Sequence, residues 1–244
     1  MYVWFRQREE VTSVKPNYME NQTKINARMR SILVDWLVDV HLKFHLIPET
    51  LYLTVNLADR FLQKVDIPRN ELQLVGVTAL FLASKYEEIY PPQVADIVSI
   101  CDNAFSDEEI IQMEVKMLRA LKYKITIPSA HCFLVRYLKA AHGNKRIVQL
   151  SSYILDSTLQ NYELLEFLPS ELASAAVMIA RNEAGRNSWS PTLLQYTNYC
   201  EEDIIPVARA IIKAMQNRAS HLDAVERKYS RDRFGSIAGT TFQI

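Results

Sequence analysis

Apolar side chains recur at helical spacing along almost the whole chain, and this periodicity constrains the fold more than any other feature. In residues 25–46 the apolar positions follow steps of three and four residues, which is the pattern of an amphipathic helix. Similar segments follow, separated by prolines such as Pro48, Pro68 and Pro128. Proline restricts the residue before it and ends helices, and alternating strand patterns are scarce. The sequence therefore predicts an all-α fold.

One segment, residues 70–87, is apolar on nearly every face, which predicts a helix buried inside its domain. Gly76 lies within it, and so small a residue lets a neighbouring helix pack closely. A second segment of this kind, residues 171–184, follows about 100 residues later. Repetition of a whole layout indicates a repeated structural unit. We therefore predict two sets of five helices in tandem, with a boundary near residues 125–128.

Local signals mark the ends of two other segments. Ser106 is followed three residues later by Glu109, and this capping-box spacing predicts the start of a helix that runs to about Lys122. Residues 223–244 lose the helical period altogether. A segment without periodicity at a chain terminus predicts a loosely held tail.

Composition argues against several classes of function. The 244 residues include only five glycines, and neither GxGxxG nor GxxxxGK[ST] occurs, so the common phosphate-binding loops are missing. With 28 basic and 28 acidic residues, the chain lacks the positive excess of a dedicated nucleic-acid binder. The three cysteines form no CxxC pair, and the longest apolar run, Leu72–Ala83, is too short to span a bilayer. We expect no cofactor, metal, nucleic-acid or membrane partner.

Residues that could carry catalysis are equally scarce. His41 and His45 stand four apart, a spacing that can hold zinc, but the glutamate of an HExxH motif is missing. The acidic clusters at 107–109 and 201–203 lie at predicted helix starts, where the helix dipole favours negative charge. We therefore predict that the protein is not an enzyme and has no catalytic residues.

Three ordered motifs resemble the cyclin family, and they lie on the helices that the periodicity predicts. They are MRSILVDWLVDV from Met29, LQLVG from Leu72 running into ASKYEEIYPP at Ala83, and QME from Gln112. The resemblance covers roughly residues 2–230 and is strongest to the mitotic B-type branch, with the A-type branch also open. It implies tandem five-helix cyclin boxes plus an N-terminal helix. The implied divisions are an N-terminal helix or extension at 1–24, an N-terminal box at 25–127, a C-terminal box at 128–222 and a tail at 223–244.

The resemblance implies a regulatory subunit that binds and activates a cyclin-dependent serine/threonine kinase without performing chemistry itself. In the family, the first box binds the kinase's mobile αC helix, of the PSTAIRE type, and rotates it inward. This movement completes the lysine–glutamate pair that positions the ATP phosphates. We therefore expect a mitotic, G2/M regulator that occurs in both nucleus and cytoplasm.

The family's kinase-binding residues can be carried over to five positions. Lys85 matches a lysine that donates hydrogen bonds to main-chain carbonyls of the kinase, and Glu114 matches a glutamate that accepts from main-chain amides. Tyr86, Leu118 and Ile125 match the apolar wall around the kinase helix. Glu114 and Leu118 are four residues apart and so share a helix face.

A second set matches the surface that docks RxL-type peptides of substrates and inhibitors. The docking residues are Met29, Ile32, Leu33, Trp36 and Gln73. Asp39 stands where some relatives place an acid for the basic residue of the peptide. Apolar residues in a stripe along one helix usually belong to the core. Because a docking surface must also be accessible, we expect partial exposure at Met29 and Trp36. Arg30 and Asp59 match an internal pair that ties the first two helices together, so we interpret them as structural.

One departure from the family concerns degradation. Mitotic cyclins usually carry a long N-terminal region with a destruction box, whereas this chain begins almost at the folded part. An RxxL at Arg30 lies inside the first predicted core helix. We expect either a shortened chain or turnover controlled elsewhere. Three other functions stay open: a cyclin-fold adaptor in transcription, an all-α enzyme with an apolar pocket, and a plain helical scaffold.

Overall fold

A computed structural model describes residues 2–243, and within that range the chain forms twelve α-helices and no β-strand. These helices divide into two compact units. The first unit spans Ser13–Ile127, and the second joins the residues up to Thr12 with those from Pro128 onward. The predicted all-α architecture with two successive helical sets is confirmed.

The first unit is built around one buried helix, α4, as the apolar run at 70–87 predicts. Every residue from Leu74 to Ser84 is buried. The unit also has short 3-10 turns at Tyr18–Asn21 and Arg69–Glu71. Its five helices are α2 (Ala27–Lys43), α3 (Pro48–Leu62), α4 (Leu72–Glu87), α5 (Val94–Ile100) and α6 (Asp107–Ala120).

Close packing between α2 and α4 depends on Gly76. A Cβ atom at this position would lie 2.6 Å from Cδ1 of Leu33, which is closer than any real contact of this kind. Because glycine has no side chain, the Leu33 side chain can lie directly against the α4 backbone.

The start of α6 is fixed by the predicted capping box. The backbone amide of Glu109 donates to Ser106 Oγ at 3.3 Å, and the amide of Ser106 donates to Glu109 Oε2 at 2.8 Å. Two amides that the helix leaves unpaired are thereby satisfied. The cap fixes the register of the whole helix, including the positions of Glu114 and Leu118.

The second unit repeats the plan around a buried helix, α9. Its remaining members include α1, which packs on α9 although it precedes the first unit in the chain. The structure therefore divides the predicted 1–24 extension: α1 belongs to the second unit and residues 13–24 to the first. The helices are α1 (Tyr2–Thr12), α7 (Ala130–Ala140), α8 (Lys145–Thr158), α9 (Pro169–Glu183), α10 (Pro191–Thr197), α11 (Glu201–Gln216) and α12 (Ala224–Tyr229).

A buried carboxylate attaches α1 to the second unit. The backbone amide and the hydroxyl of Ser170 donate to the two oxygens of Glu9, each at 2.9 Å. Arg6 pairs with Glu9 at 3.0 Å and lies over the ring of Tyr199, 4.3 Å from its centroid. Glu9 therefore accepts from one of the unpaired amides at the start of α9, as a capping side chain of that helix would.

The prediction of a loosely held tail at 223–244 is wrong. Lys228 lies 2.7 Å from Asp156 Oδ2, and the Tyr229 hydroxyl donates to the same oxygen at 2.9 Å, with all three side chains buried. Near the end of the chain Phe242 is also buried. The helix α12 has only six residues, too few to display a period, and its partner lies 72 residues earlier.

Candidate functional site

The end of α4 carries the first predicted kinase-binding residue, and α6 carries the second. Lys85 and Glu114 form a direct ion pair, with side chains 38% and 10% exposed. The ammonium of Lys85 also lies over the ring of Phe81, one helical turn earlier, 4.2 Å from its centroid. Because α4 is buried up to Ser84, Lys85 lies where this helix reaches the surface. The structure brings together two residues that are 29 positions apart in the sequence.

The C-terminal end of α4 is held in place by Glu88. Its carboxylate accepts from the backbone amide of Ile47 at 2.8 Å and from the hydroxyl of Thr50 at 2.5 Å. These donors lie at the start of α3, where amides lack helical partners. Glu88 therefore caps one helix while fixing the end of another, which restricts the position of Lys85.

The three predicted apolar residues lie beside this pair. Tyr86 is exposed, and its hydroxyl shares a 2.6 Å hydrogen bond with that of Thr126, the residue after Ile125. Ile125 is half-buried, as is Leu118, one turn after Glu114 on α6. A flat aromatic ring is therefore held against the segment that follows α6.

Further exposed apolar residues, which are not among the predicted site residues, extend this surface. Ile89 and Tyr90, just after α4, are almost fully exposed. Ile111 and Val115 are also exposed, and with Leu118 they follow the four- and three-residue steps of one face of α6. That spacing could have been read from the sequence. Exposed apolar residues around a charged pair are typical of a protein-binding surface.

The predicted docking residues line one groove between α2 and the start of α4. The groove has a volume of about 370 Å³. Met29 and Trp36 are half-buried as predicted, while Ile32 is 45% exposed and Leu33 only 6%. The lining residues are Met29, Ile32, Leu33, Trp36, Arg69, Leu72 and Gln73.

Two charged residues differ from the prediction for this groove. Asp39 is half-buried on α2 and is not among the lining residues. Arg69, which is not among the predicted docking residues, lines the groove from the 3-10 turn that precedes α4. Arg69 is exposed and forms no ion pair with any residue between Tyr2 and Gln243. The apolar side chains of this groove can accept an aliphatic side chain from a partner, and Arg69 adds a positive charge at the same groove.

The predicted structural pair lies in the core of the first unit. Arg30 donates from Nε and one terminal nitrogen to the two oxygens of Asp59, at 2.8 and 2.7 Å, and Tyr18 donates to Asp59 at 2.7 Å. Burial by itself lowers the pKa of Arg30, but the charge and hydrogen bonds of Asp59 outweigh it and raise that pKa. The pair joins α2 to α3.

No group of three or more histidine, cysteine, aspartate or glutamate side chains within residues 2–243 could hold a metal ion. None of the helices in the same range is both long enough and apolar enough to cross a membrane.

Comparisons with known proteins agree with this arrangement. The family described as "Cyclin, N-terminal domain" matches residues 1–126, and "Cyclin, C-terminal domain" matches residues 128–242. Cyclin-B2-1 of Oryza sativa subsp. japonica is 43% identical over 242 residues, covering 98% of this chain and 58% of that protein. The G2/mitotic-specific cyclin-B of Arbacia punctulata is 42% identical over 246 residues, covering 98% of this chain and 60% of that protein.

The chain thus spans less than two thirds of the length of these relatives. Among solved structures, a viral cyclin from herpesvirus saimiri has a TM-score of 0.79 at 19% identity, covering 87% of this chain and 95% of that one. This structural likeness concerns the fold. Because the two family domains together match nearly every residue, and the relatives are mitotic cyclins of the B type, the chain belongs to the cyclin family.

Proposed function

We propose that this chain is a regulatory subunit that binds and activates a cyclin-dependent serine/threonine kinase at the G2/M transition, and is not itself catalytic. The observation that carries the proposal is the Lys85–Glu114 pair with its apolar surroundings. An ammonium and a carboxylate can bond to main-chain groups of a partner helix whatever its side chains. The relatives named as G2/mitotic-specific cyclins support the assignment to mitosis.

Activation requires that the partner be bound more tightly in its active form than in its inactive form. A PSTAIRE-type helix that moves inward would place its apolar side against Tyr86, Leu118 and Ile125, and its main chain against Lys85 and Glu114. The contacts would then be complete only in the active position, and binding energy would shift the kinase toward that state.

The test adds purified protein to an inactive monomeric kinase with a PSTAIRE helix and measures histone phosphorylation. We expect strong activation, reduced at least about tenfold in a Lys85→Ala/Glu114→Ala variant. The matched control is Arg146→Ala/Glu183→Ala, which removes an ion pair of 3.7 Å from the second unit. The chain without kinase should give no phosphorylation. Failure to activate any of a panel of kinases, with the fold intact, would favour a transcription adaptor or helical scaffold.

We further propose that the groove docks RxL-type segments of substrates or inhibitors. The leucine would enter between Met29, Ile32 and Trp36, where polarizable side chains adapt to an aliphatic anchor. The probe is a fluorescent RxL peptide, and a Met29→Ala/Trp36→Ala variant should bind it at least about tenfold more weakly. Leu194→Ala, which changes an exposed leucine of the second unit, is the control. Equal binding by all three proteins would contradict the proposal.

We also propose that the protein occurs in both nucleus and cytoplasm, as mitotic relatives shuttle between them. Imaging of the tagged protein through a synchronised cell cycle tests this. Signal confined to one compartment at every stage would refute it.

A further inference from the structure

A second cleft lies in the second unit, between α11 and the end of the chain. It has a volume of about 350 Å³. Its lining combines two cations, two amides and two apolar side chains. The lining residues are Arg209, Ile212, Lys213, Gln216, Phe242 and Gln243. The cleft belongs to a different unit from the kinase-binding residues and the docking groove, so it is not part of the site described above.

The charge of this cleft is positive and uncompensated. Arg209 and Lys213 are exposed, and neither forms an ion pair with any residue that the structure describes. The lining contains no aspartate or glutamate. Three other cations of the unit, by contrast, are paired: Lys228 with Asp156, Arg218 with Glu226 and Arg227 with Asp223. A chain of zero net charge thus keeps a local pair of free cations beside a cleft.

The wall opposite α11 is held in position. Phe242 is buried and lies 6.2 Å from the ring of Tyr153, centroid to centroid. The side-chain amide of Asn182 donates to the main-chain carbonyl of Gln243 at 2.7 Å. Because the wall is fixed by an aromatic contact and a hydrogen bond, the cleft needs little ordering when it binds a ligand.

The spacing of the two cations selects the shape of the ligand. Arg209 and Lys213 are four residues apart on a helix, which corresponds to a rise of about 6 Å. Side chains two residues apart on an extended peptide face the same side and are separated by about 6.6 Å. Two glutamates in a Glu-x-Glu pattern can therefore face both cations at once. The amides of Gln216 and Gln243 can bond to the peptide main chain, and Ile212 offers an apolar contact.

We propose that this cleft binds an extended acidic peptide segment of a partner protein, with glutamates at alternate positions followed by an apolar residue. The proposal does not depend on kinase activation, since the cleft, its charges and its wall all lie in one unit. Charge complementarity identifies the occupant, and the apolar contact supplies the part of the affinity that salt does not screen.

The probe is a fluorescein-labelled peptide, Gly-Ser-Glu-Ser-Glu-Ser-Leu-Ser-Gly, whose binding to the whole chain is followed by anisotropy at physiological salt. We expect saturable binding that is at least about tenfold weaker for an Arg209→Glu/Lys213→Glu variant. The control, Lys139→Glu/Lys145→Glu, makes the same change of net charge at exposed lysines outside the cleft. It should stay within about twofold of the unmodified chain.

A peptide with both glutamates replaced by glutamine should lose at least about tenfold in affinity, and one with the leucine replaced by serine should bind more weakly. Circular dichroism confirms that each variant is folded. The proposal would be overturned if the cleft and control variants lost peptide affinity equally. It would also be overturned if the cleft variant bound the peptide as tightly as the unmodified chain. Competition by inorganic phosphate or duplex DNA as effective as that of unlabelled peptide would also overturn it.

Discussion

At the scale of single residues, Arg30 shows how a buried charge is tolerated. Its guanidinium is fully buried, and both oxygens of Asp59 accept its hydrogen bonds. Tyr18 supplies a further donor to the same carboxylate. Removing one member of such a pair leaves the other charge in the interior without compensation, which costs far more than the pair itself contributes.

We predict that Arg30→Ala lowers the free energy of unfolding by about 3–5 kcal/mol. Arg28→Ala is the control, because Arg28 is exposed on the same helix and should change stability by less than about 0.5 kcal/mol. Urea unfolding followed by circular dichroism measures both. A loss for Arg30→Ala no larger than that of the control would contradict the buried-pair interpretation.

Residues of the candidate site could be predicted to different extents. Lys85 and Glu114 came from the family resemblance, and the structure brings them into contact. The ring of Phe81 beneath Lys85 is four residues earlier and could have been inferred from helical spacing. Helical spacing predicts no role for Tyr18 or Arg69, because each lies on a short 3-10 turn rather than on a periodic helix.

At the scale of elements, we expect the attachment of α1 to depend on the protonation of Glu9. Burial raises the pKa of Glu9, and the negative charge of Glu171 raises it further. The hydrogen bonds from Ser170 and the positive charge of Arg6 lower the same pKa, but they do not outweigh burial. The rings of Tyr137 and Tyr199 also face this network. The Glu9 carboxyl therefore keeps its proton to a higher pH in the folded state than in the unfolded state. As a result, the free energy of unfolding falls as pH rises from the ordinary carboxyl range through the raised pKa.

We predict that α1 exchanges its amide hydrogens faster, relative to intrinsic rates, as pH rises through that window. Glu9→Gln cannot titrate, so its protection should no longer vary with pH for this reason. Glu10→Gln is the control, because Glu10 is exposed and should leave the pH dependence unchanged. Hydrogen exchange with mass spectrometry across about pH 4–8 measures the protection of the α1 amides in all three proteins. Protection that rises with pH in the unmodified chain would contradict the assignment.

The contact of α2 with α4 gives a second prediction at this scale. Gly76→Ala would place a methyl group against Leu33, so we expect a loss of about 1–3 kcal/mol in stability. Because Leu33 also lines the docking groove, affinity for an RxL peptide should fall as well.

Adding Leu33→Val to Gly76→Ala makes room for the new methyl group. The double variant should therefore be more stable than the sum of the two single changes predicts, by about 0.5 kcal/mol or more. Additive losses would show that the two residues are not in contact.

Elements with a strong local signal were predicted well, and those without one were not. The buried helix α4 and the capping box at Ser106 follow from spacing alone, and both are confirmed. The short helix α12 has no detectable period, and its stability comes from Asp156 far away in the chain. Long-range partners of this kind cannot be read from local pattern, which explains the wrong prediction for the tail.

At the scale of the whole molecule, the two units should respond separately to damage. Lys228→Ala leaves the Asp156 carboxylate buried without its cation, so we predict a loss of about 3–5 kcal/mol in the second unit. Hydrogen exchange should then increase in residues 128–243 and in α1, while residues 13–127 keep their protection. Lys139→Ala, an exposed change, is the control. Equal loss of protection across both units would contradict the division.

The assignment of α1 to the second unit has a consequence for synthesis on the ribosome. The helix α1 emerges before the rest of the two units, yet the Ser170 groups that bind Glu9 come 161 residues later. At translation rates of about 5–20 residues per second, α1 waits on the order of ten to thirty seconds for its partner. Residues 13–127, which form the first unit, are synthesised during that interval. The order in which the helices are synthesised therefore differs from the order in which they can pack, because α1 can pack only after α9 has been made.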